Sequence, residues 1–587
     1  MKKHLILTST LLVTLVACGK KETPPAATSL EPTAAATAIL DYVPSDTPYV
    51  FAALRPTPEA LTEKMRPVNE AAIGMMASAF RLGFESAAED AETDLDPEVA
   101  ETFTKAMDAM ESRLSDGKLD EFGFDEKTGV GAFYGNGLLP VMRLSLAEPE
   151  KFLPELDEML AEMELGDIQT VEIAGAMLRK ASIGEVMSIF IGEHDDAVVL
   201  TAAPFAFTDD QLEQLLSKPN GGGILTGTVL TDLMDKYDYM AQGAGFIDFR
   251  KVFDTVSGNA SGLDAALLEM VQDEDMQMDD TCRSEFGSIV ANFPRFVIGS
   301  TRMDTEQMDT LPVLEMNPAI AEGLMSIVGN VPGMTAPTDA GAKFGFAVNI
   351  GGIRDFIAEQ AGKISDNPYQ CEQLASLNEG AENALASLNQ PLPPIVNNFQ
   401  GLFVEMDSLE ALDFQGGSSM PEDLNMSVVL AMKNVKGAME FGSMMMPMLA
   451  ALNIDSDGEP VLLPPELTAG VGQDVFAAMT EDMLAMSIGD GADKKAGKLA
   501  AATGSSDGML MAASMDYREY VKVMRALEEQ MNDVLSATDD AENQDLQMDM
   551  GEMMKVMDAV ADAIERETGG IRITPNGIEL PTQVTLR

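Results

Sequence analysis

The chain has 587 residues, of which 96 are Asp or Glu and 38 are Lys or Arg, so its formal net charge is -58. A surface this negative repels nucleic-acid phosphates and anionic lipid head groups, which excludes nucleic acid as a partner. Hydrophobic residues make up 46% of the chain. That is enough for a packed core, and the length suggests about two to four domains.

Residues 1–17 carry the pattern of a secretory signal. They begin with two lysines close to the start and continue as an uncharged apolar run. This run is too short to cross a bilayer as a helix and is typical of a signal peptide. It leads into Leu-Val-Ala-Cys at residues 15–18, which resembles the lipobox of bacterial lipoproteins.

The resemblance implies that residues 1–17 are removed and that Cys18 carries the acyl chains that anchor the mature protein in a membrane. In such lipoproteins a residue like Gly19 after the lipidated cysteine favours the outer membrane, on its periplasmic side. The lysines at 20–21 leave the inner membrane open, and the cell surface is a further alternative. Residues 18–38 are rich in Pro, Ala and Thr, which predicts a flexible tether after the lipidated cysteine.

Past the tether, the hydrophobic pattern alternates between the periods of strands and helices. We predict a first α+β unit over residues 39–330, with a strong hairpin signal at Gly135-Asn136-Gly137. In chain order, the predicted elements are a strand at 47–54, helical segments to about 114, strands at 130–134 and 138–146, a helix from Pro149, hairpins over 170–203, a helix near 208–217, a strand at 244–249, two helices, and strands at 295–303 and 309–315.

A second unit, residues 331–587, is predicted to repeat this order of elements. They are a strand at 342–350, helices to about 389, strands at 401–416 and 425–432, a helix at 434–451, hairpins over 453–488, a helix at 492–503, a strand at 508–515 that leads directly into a helix, a helix at 546–567, and a last hairpin turning at 575–577.

One local likeness supports an internal duplication. A strand leads into Asp248-Phe249-Arg250 in the first unit and into Asp516-Tyr517-Arg518 in the second, and each Asp is predicted to cap the next helix. The predicted fold class is therefore α+β, as two tandem related units of mostly antiparallel sheets covered by helices. Two unrelated α+β domains are the alternative. The opening pattern at 43–48 resembles an uncharacterised family of bacterial envelope lipoproteins, and this likeness implies no activity.

Few residues of the chain are suited to catalysis. Cys282 and Cys371 would lie in an oxidising compartment, which favours a disulfide between them, with two buried free thiols as the alternative. Cleavage leaves His194 as the last histidine, in a Glu-His-Asp-Asp stretch that most simply forms an exposed hairpin turn; a transient metal site there is the alternative. A single histidine excludes zinc sites with several His ligands and leaves little choice of catalytic base.

Two sets of residues are weak metal candidates. Asn453, Asp455 and Asp457 resemble the front of an EF-hand loop, but its twelfth position is Pro464, so a hairpin turn is the better interpretation.

The second set comes from the 43 methionines of the chain. Met548, Met550 and Met553 loosely resemble the Met-rich motifs of copper-handling proteins, which implies thioether ligands for Cu(I). Because methionine is spread over the whole chain, a plastic core or an adaptable apolar groove explains it more simply.

These observations predict a membrane-anchored, periplasmic-facing lipoprotein that is a non-catalytic binding or envelope-maintenance module. One alternative is a carrier of an apolar ligand or of a soft metal ion through Met-rich faces. The other is an Asp/Glu-based hydrolase, which the lack of Trp and an aromatic content of 6% disfavour. We expect no cofactor, and we expect the membrane and an unknown protein or small ligand as partners.

Overall fold

A computed structural model of the chain describes residues 31–69, 71, 118–125, 127–162, 168–183, 187–271, 278–409, 424–445, 452, 454–468, 471–535 and 553–587. Helices and antiparallel strands alternate through these ranges, which confirms the predicted α+β class. None of the helices in these ranges combines the length and the hydropathy that a bilayer crossing requires.

The first half of the chain alternates hairpins with helices. Its strands are β1 (Tyr49–Ala52), β2 (Gly131–Asn136), β3 (Leu139–Ser145), β4 (Gln169–Ile173), β5 (Ala176–Ile183), β6 (Met187–Glu193), β7 (Ala197–Pro204), β8 (Ala244–Asp248), β9 (Arg295–Met303), β10 (Gln307–Thr310) and β11 (Val313–Glu315). Its helices are α1 (Ala34–Leu40), α2 (59–69), α3 (Pro149–Glu162), α4 (Asp209–Leu216), α5 (Val229–Tyr237), α6 (Phe249–Asp254), α7 (Leu263–Val271), α8 (Asp280–Val290) and α9 (Pro318–Met325).

The second half has the same mixture of elements. Its strands are β12 (Ala342–Ala347), β13 (Phe399–Met406), β14 (Met426–Met432), β15 (Val461–Leu462), β16 (Val475–Met479), β17 (Met483–Ile488), β18 (Met509–Asp516), β19 (Ile564–Thr574), β20 (Gly577–Glu579) and β21 (Thr582–Leu586). Its helices are α10 (Ile350–Asp366), α11 (Ala375–Leu388), α12 (Pro394–Asn397), α13 (Val435–Met445), α14 (Pro465–Thr468), α15 (Ala492–Ala500), α16 (Tyr517–Leu535) and α17 (553–563).

All of these strands belong to one antiparallel sheet. In the first half, neighbouring strands follow the order β4–β5–β6–β7–β3–β2–β1–β8–β9. In the second half the order is β15–β16–β17–β14–β13–β12–β18–β19. Between them, β10 pairs with β9 and β21, and β20 pairs with β19 and β11. Main-chain hydrogen bonds therefore join the two halves edge to edge.

One face of this sheet packs on the main hydrophobic core. Because side chains alternate along a strand, Val50, Val141 and Val199 point to the same side, and each is 0% exposed. Leu40 of α1 and Leu215 of α4 belong to the same cluster. The helices α1 and α4 thus close the core over the first half of the sheet.

The helix α1 corrects the predicted tether of residues 18–38, because residues 34–38 are part of this helix. The Thr33 side chain caps α1 by accepting a hydrogen bond from the Ala36 main-chain nitrogen at 3.2 Å. Ala36 is 1% exposed, and Ile39 is buried as well. A seven-residue helix is too short to show an apolar period in the sequence, so its packing decides the outcome.

Both predicted aspartate caps are confirmed. Asp248 Oδ1 accepts hydrogen bonds from the main-chain N–H groups of Arg250 and the next residue, at 3.1 and 3.3 Å. Asp516 Oδ1 accepts hydrogen bonds from Arg518 and the next residue, at 2.9 and 3.4 Å. Each aspartate ends a strand and starts a helix, which fixes the direction in which α6 and α16 leave the sheet.

The strand β19 corrects the end of the predicted helix at 546–567. The described helix α17 ends at residue 563, and β19 begins at Ile564. Residues 564–567 pair with β21 and β18 on either side, which satisfies their main-chain groups. This pairing outweighs the local helical pattern.

A buried carboxylate ties β11 to β9 and α5. Glu315 is 6% exposed and accepts hydrogen bonds from the Arg295 guanidinium at 2.7 and 3.1 Å, and from Lys236 Nζ and the Tyr237 hydroxyl, both at 2.7 Å. Burial disfavours the charge, but these donors outweigh burial and lower the pKa of Glu315 to about 2. The carboxylate therefore stays ionised over the physiological pH range.

We expect Glu315→Gln to lower the free energy of unfolding at pH 7 by roughly 3 kcal/mol, because Arg295 loses its buried carboxylate. The pKa of Glu315 is lower in the folded chain than its ordinary value of 4.5, so the deficit is complete above that pH and shrinks as pH falls toward 2. Urea denaturation between pH 7 and pH 3 measures it. The control is Glu148→Gln, which removes the ion pair between Glu148 and Lys151. Because the Glu148 side chain is 52% exposed, the free energy of unfolding should change by less than about 0.5 kcal/mol. A deficit independent of pH would contradict this account.

Candidate functional site

The two cysteines for which a disulfide is predicted are bonded to each other, with a Cys282–Cys371 S–S distance of 2.07 Å. Both are buried, and the bond links α8 to the segment that follows α10. The Glu285 carboxylate supports the same connection, since it accepts hydrogen bonds from the main-chain nitrogens of Gln370 and Cys371, each at 2.9 Å. This covalent link joins the two halves of the chain a second time.

The weak metal candidates do not come together. Asp455 and Asp457 are exposed, and Asp457 Oδ1 accepts a hydrogen bond from the Glu459 main-chain nitrogen at 3.0 Å, as a turn residue does. Met553 is half-buried in α17. In the part of the chain that the structure describes, no group of three or more His, Cys, Asp or Glu side chains is placed to hold a metal ion.

Four other predicted residues lie outside the described ranges. They are Cys18, Asn453, Met548 and Met550. The lipid anchor therefore stays a prediction, and so does a methionine site that would use Met548 or Met550.

His194 lies in the turn between β6 and β7, as predicted, but it is half-buried rather than exposed. Its ring packs edge-on against Tyr42, with ring centroids 5.4 Å apart. The following residues, Asp195 and Asp196, adopt left-handed φ values of 52° and 56°. This tight turn folds the imidazole back toward the protein, which the polarity of the sequence around it does not reveal.

The residue that His194 meets is Arg143, a cation on β3 that is only 1% exposed. Arg143 Nη2 lies 3.2 Å from His194 Nδ1 and donates to the Leu216 carbonyl at 3.0 Å, at the end of α4. Arg143 Nε donates to the Tyr134 hydroxyl at 3.3 Å, and the guanidinium lies 3.5 Å from the centre of the Tyr42 ring. Among the described residues, Nη1 of Arg143 is buried without a hydrogen-bond partner.

Dipoles and an aromatic ring surround this buried cation. The carbonyl at the C-terminal end of α4 and the face of Tyr42 both carry negative partial charge toward it. Asp195 acts through Tyr42, whose hydroxyl donates to Asp195 Oδ2 at 2.5 Å. That hydrogen bond lowers the pKa of Asp195, and burial raises the pKa of Tyr42.

The cluster is poorly suited to acid–base catalysis. Burial and then the charge of Arg143 lower the pKa of His194, so the imidazole is neutral and its Nδ1 lone pair faces the guanidinium. The Tyr42 hydroxyl is held by Asp195, and its raised pKa makes it a weak nucleophile. The geometry supports a structural role, in which Arg143 holds the His194 turn and the end of α4 together.

Arg143 is absent from the predicted site residues, although the sequence contains a signal for it. Leu139, Val141 and Arg143 alternate along β3, so a basic residue occupies a position that the pattern assigns to the core. A charge at an inward position of a strand marks a buried polar cluster.

The opposite face of the sheet carries exposed apolar residues. We call Tyr49, Phe51, Phe133, Met142 and Leu200 the first apolar patch. Phe51 opposes Phe133 across β1 and β2, and the patch continues through β3 to Leu200 of β7. Phe133 is 42% exposed, and the other four are half-exposed. Phe133 lies 5.7 and 6.5 Å from the rings of Tyr49 and Phe51, which makes a continuous aromatic surface.

The second half carries a similar surface. We call Phe344, Phe346, Leu402, Val404 and Met511 the second apolar patch. They oppose one another across β18, β12 and β13. Phe344 is 47% exposed, while Phe403 between Leu402 and Val404 is 0% exposed on the core side. The alternation therefore places apolar side chains on both faces of the strands, one toward the core and one toward solvent.

We expect acid to weaken the Arg143 cluster through His194. Its pKa in the folded chain is below its ordinary value of 6.5, so the unfolded chain binds the proton more readily and stability falls as pH drops below 6.5. In His194→Gln, an amide oxygen accepts from Arg143 without titrating, and this part of the pH dependence should vanish. Thermal unfolding of both proteins between pH 8 and pH 5 measures it, and parallel melting temperatures would contradict the assignment.

No protein-family model, curated protein or solved structure matches the chain. The buried polar cluster and the exposed apolar sheet face are therefore interpreted from the contacts within this chain alone.

Proposed function

We propose that the protein is a lipid-anchored, non-catalytic binding protein of the bacterial envelope that holds the apolar part of a ligand against the outward face of its sheet. The observation that carries this proposal is the exposure of Phe133 and Phe344 in the middle of apolar patches. Soluble monomers rarely leave contiguous apolar surface of more than a few hundred Å² in water, and larger patches mark binding sites.

The composition of the chain strengthens this argument. Acidic residues number 96 of 587, so polar side chains for a solvent-facing strand surface are plentiful. At the outward positions of β1, β2 and β3 the chain instead carries Phe51, Phe133 and Met142. Exposed apolar side chains in so acidic a protein favour an uncharged apolar ligand, such as an acyl chain.

A membrane surface is a less suitable occupant of these patches. Anionic lipid head groups are repelled by the negative charge of the body. The lipobox at residues 15–18 offers attachment through acyl chains on Cys18, which requires no further membrane contact. The proposed location is the outer membrane, with the body on its periplasmic side.

We also propose that the halves are tandem related units, residues 39–330 and 331–587. Leaving out the edge strand β4, their strands occur in the same order across the sheet. The last residue of β8, Asp248, opposes Arg295, and the last residue of β18, Asp516, opposes Arg566.

The apolar patches agree with this equivalence. The residues before the two aspartates, Ile247 and Met515, oppose Tyr49 and Ala342. Two residues further along β1 and β12 stand Phe51 and Phe344, so each unit presents a phenylalanine at the same register. A duplicated binding surface is the simplest reason for that match.

For the anchor, we expect Cys18→Ala to abolish incorporation of an alkyne-labelled palmitate and to release the protein from the membrane fraction. The loss follows because no other residue offers the lipidated thiol of the lipobox. A Cys282→Ser, Cys371→Ser double variant is the matched control and should keep its label. Labelling that persists in Cys18→Ala would refute the anchor.

For the sheet face, we expect the full-length protein to bind the neutral fluorophore N-phenyl-1-naphthylamine. The double variant Phe133→Gln, Phe344→Gln should bind it roughly tenfold more weakly, since two large apolar contacts are lost. Phe205→Gln is the matched control, because Phe205 is 53% exposed but lies outside both patches. Fluorescence titration measures the dissociation constants, and equal affinity of all three proteins would overturn the proposal.

A further inference from the structure

A groove lies between helices of the two halves, away from the apolar patches. Its walls include Asn292 after α8, Asn317 at the start of α9, Gln360 and Lys363 on α10, and Asn367 and Tyr369 beyond its end. The groove encloses about 320 Å³. That volume lies at the lower end of the range for small-molecule sites, with room for about one or two sugar rings.

The chemistry of the walls differs from the rest of the surface. Residues 360, 363 and 364 follow the i, i+3, i+4 spacing that places them on one face of α10, and Asn367 directly follows the helix. Four of the nine lining residues are Asn or Gln, and none is Asp or Glu, in a chain with 96 acids. The single lining cation, Lys363, is paired with Glu359 at 2.6 Å. The groove therefore combines amide groups with apolar side chains, and Glu359 lies beside its one cation.

One polar group in this wall has no partner. Nε2 of Gln360 is buried, and in the described part of the protein it donates no hydrogen bond. Buried amide groups are nearly always hydrogen-bonded, so an unsatisfied one calls for an acceptor from outside the chain. Gln360 lines the groove, and a rotation of its carboxamide about χ3 is the movement by which Nε2 would reach an acceptor on a bound ligand.

The groove is also held rigidly. The disulfide Cys282–Cys371 lies two residues beyond Tyr369, and Glu285 binds the main chain of Gln370 and Cys371. Tyr369 itself is fixed by two main-chain hydrogen bonds to the Asn378 side chain, each at 2.9 Å. A wall preorganised in this way loses little entropy when a ligand binds.

We propose that this groove binds a neutral saccharide. A carboxamide donates and accepts at once, which suits neighbouring sugar hydroxyls, while Tyr369, Ile320 and Ile364 offer apolar contact to the C–H face of a ring. A peptide is a poorer match, because the lining residues belong to helices and their ends and present no strand edge for main-chain pairing. An anion is a poorer match because Lys363 is already paired.

The test uses saturation-transfer NMR on the full-length protein with N,N′,N″-triacetylchitotriose, and with tetra-alanine as the peptide probe. We expect transfer to the trisaccharide, and roughly three- to tenfold weaker binding in Gln360→Leu and in Asn367→Leu, since each loses a hydrogen-bonding amide. Asn383→Leu is the matched control, because Asn383 is exposed on α11 outside the groove. Gln360→Glu keeps the side-chain shape but removes the donor, so it should weaken binding even if a leucine variant fails to fold.

No transfer to the trisaccharide, transfer to tetra-alanine alone, or equal affinity in wild type and Gln360→Glu would each overturn the proposal. The double variant Phe133→Gln, Phe344→Gln should bind the trisaccharide as wild type does. Failure of the apolar site and failure of this groove are therefore told apart.

Discussion

Main-chain hydrogen bonds between β10 and β21 and between β11 and β20 join the two halves into one sheet, and the rest of the fold depends on this junction. Because the strands share one sheet, their two-residue alternation divides the side chains between two faces. One face packs on the cores beneath α1, α4 and α15. The other face holds the two apolar patches. Both the stability of the body and its proposed binding surface thus follow from the same pairing.

Two buried charges are stabilised in different ways. Glu315 has Arg295, Lys236 and Tyr237 as direct donors, so its charge is neutralised locally. Arg143 relies on the end of α4, the Tyr42 ring and His194. A buried cation is costly to leave unsatisfied, so the acceptor nitrogen of His194 contributes to holding Arg143 in place.

Much of the fold could be predicted from local signals. The hairpin at residues 135–137 and the caps at Asp248 and Asp516 depend on a few neighbouring residues, so the sequence alone indicates them. The disulfide between Cys282 and Cys371 is predicted from the small number of cysteines and from the oxidising compartment that the lipobox implies. The α+β class follows from the alternation of the two periods.

Other features depend on contacts between distant parts of the chain, and local patterns do not contain them. The local composition of residues 34–38 predicts a tether, because these residues form the helix α1 only through their packing against the sheet. The local pattern of residues 564–567 predicts a helix, but pairing with β18 and β21 makes them part of a strand. The sequence around His194 predicts an exposed turn. Tyr42 and Arg143 cover this residue, but they are far from it in sequence, so the local pattern does not indicate the contact. The groove at Gln360 needs helices from both halves.

The pairing of β10 with β21 also sets an order of events during folding. β10 and β11 are made long before β21 and β20, so after synthesis of the first half the sheet ends in an open edge at β10 and β11. An open edge invites pairing with other chains. Closing it requires contacts between residues very far apart in sequence, and such contacts form slowly. The first half therefore keeps an exposed strand edge until β20 and β21 of the second half pair with it.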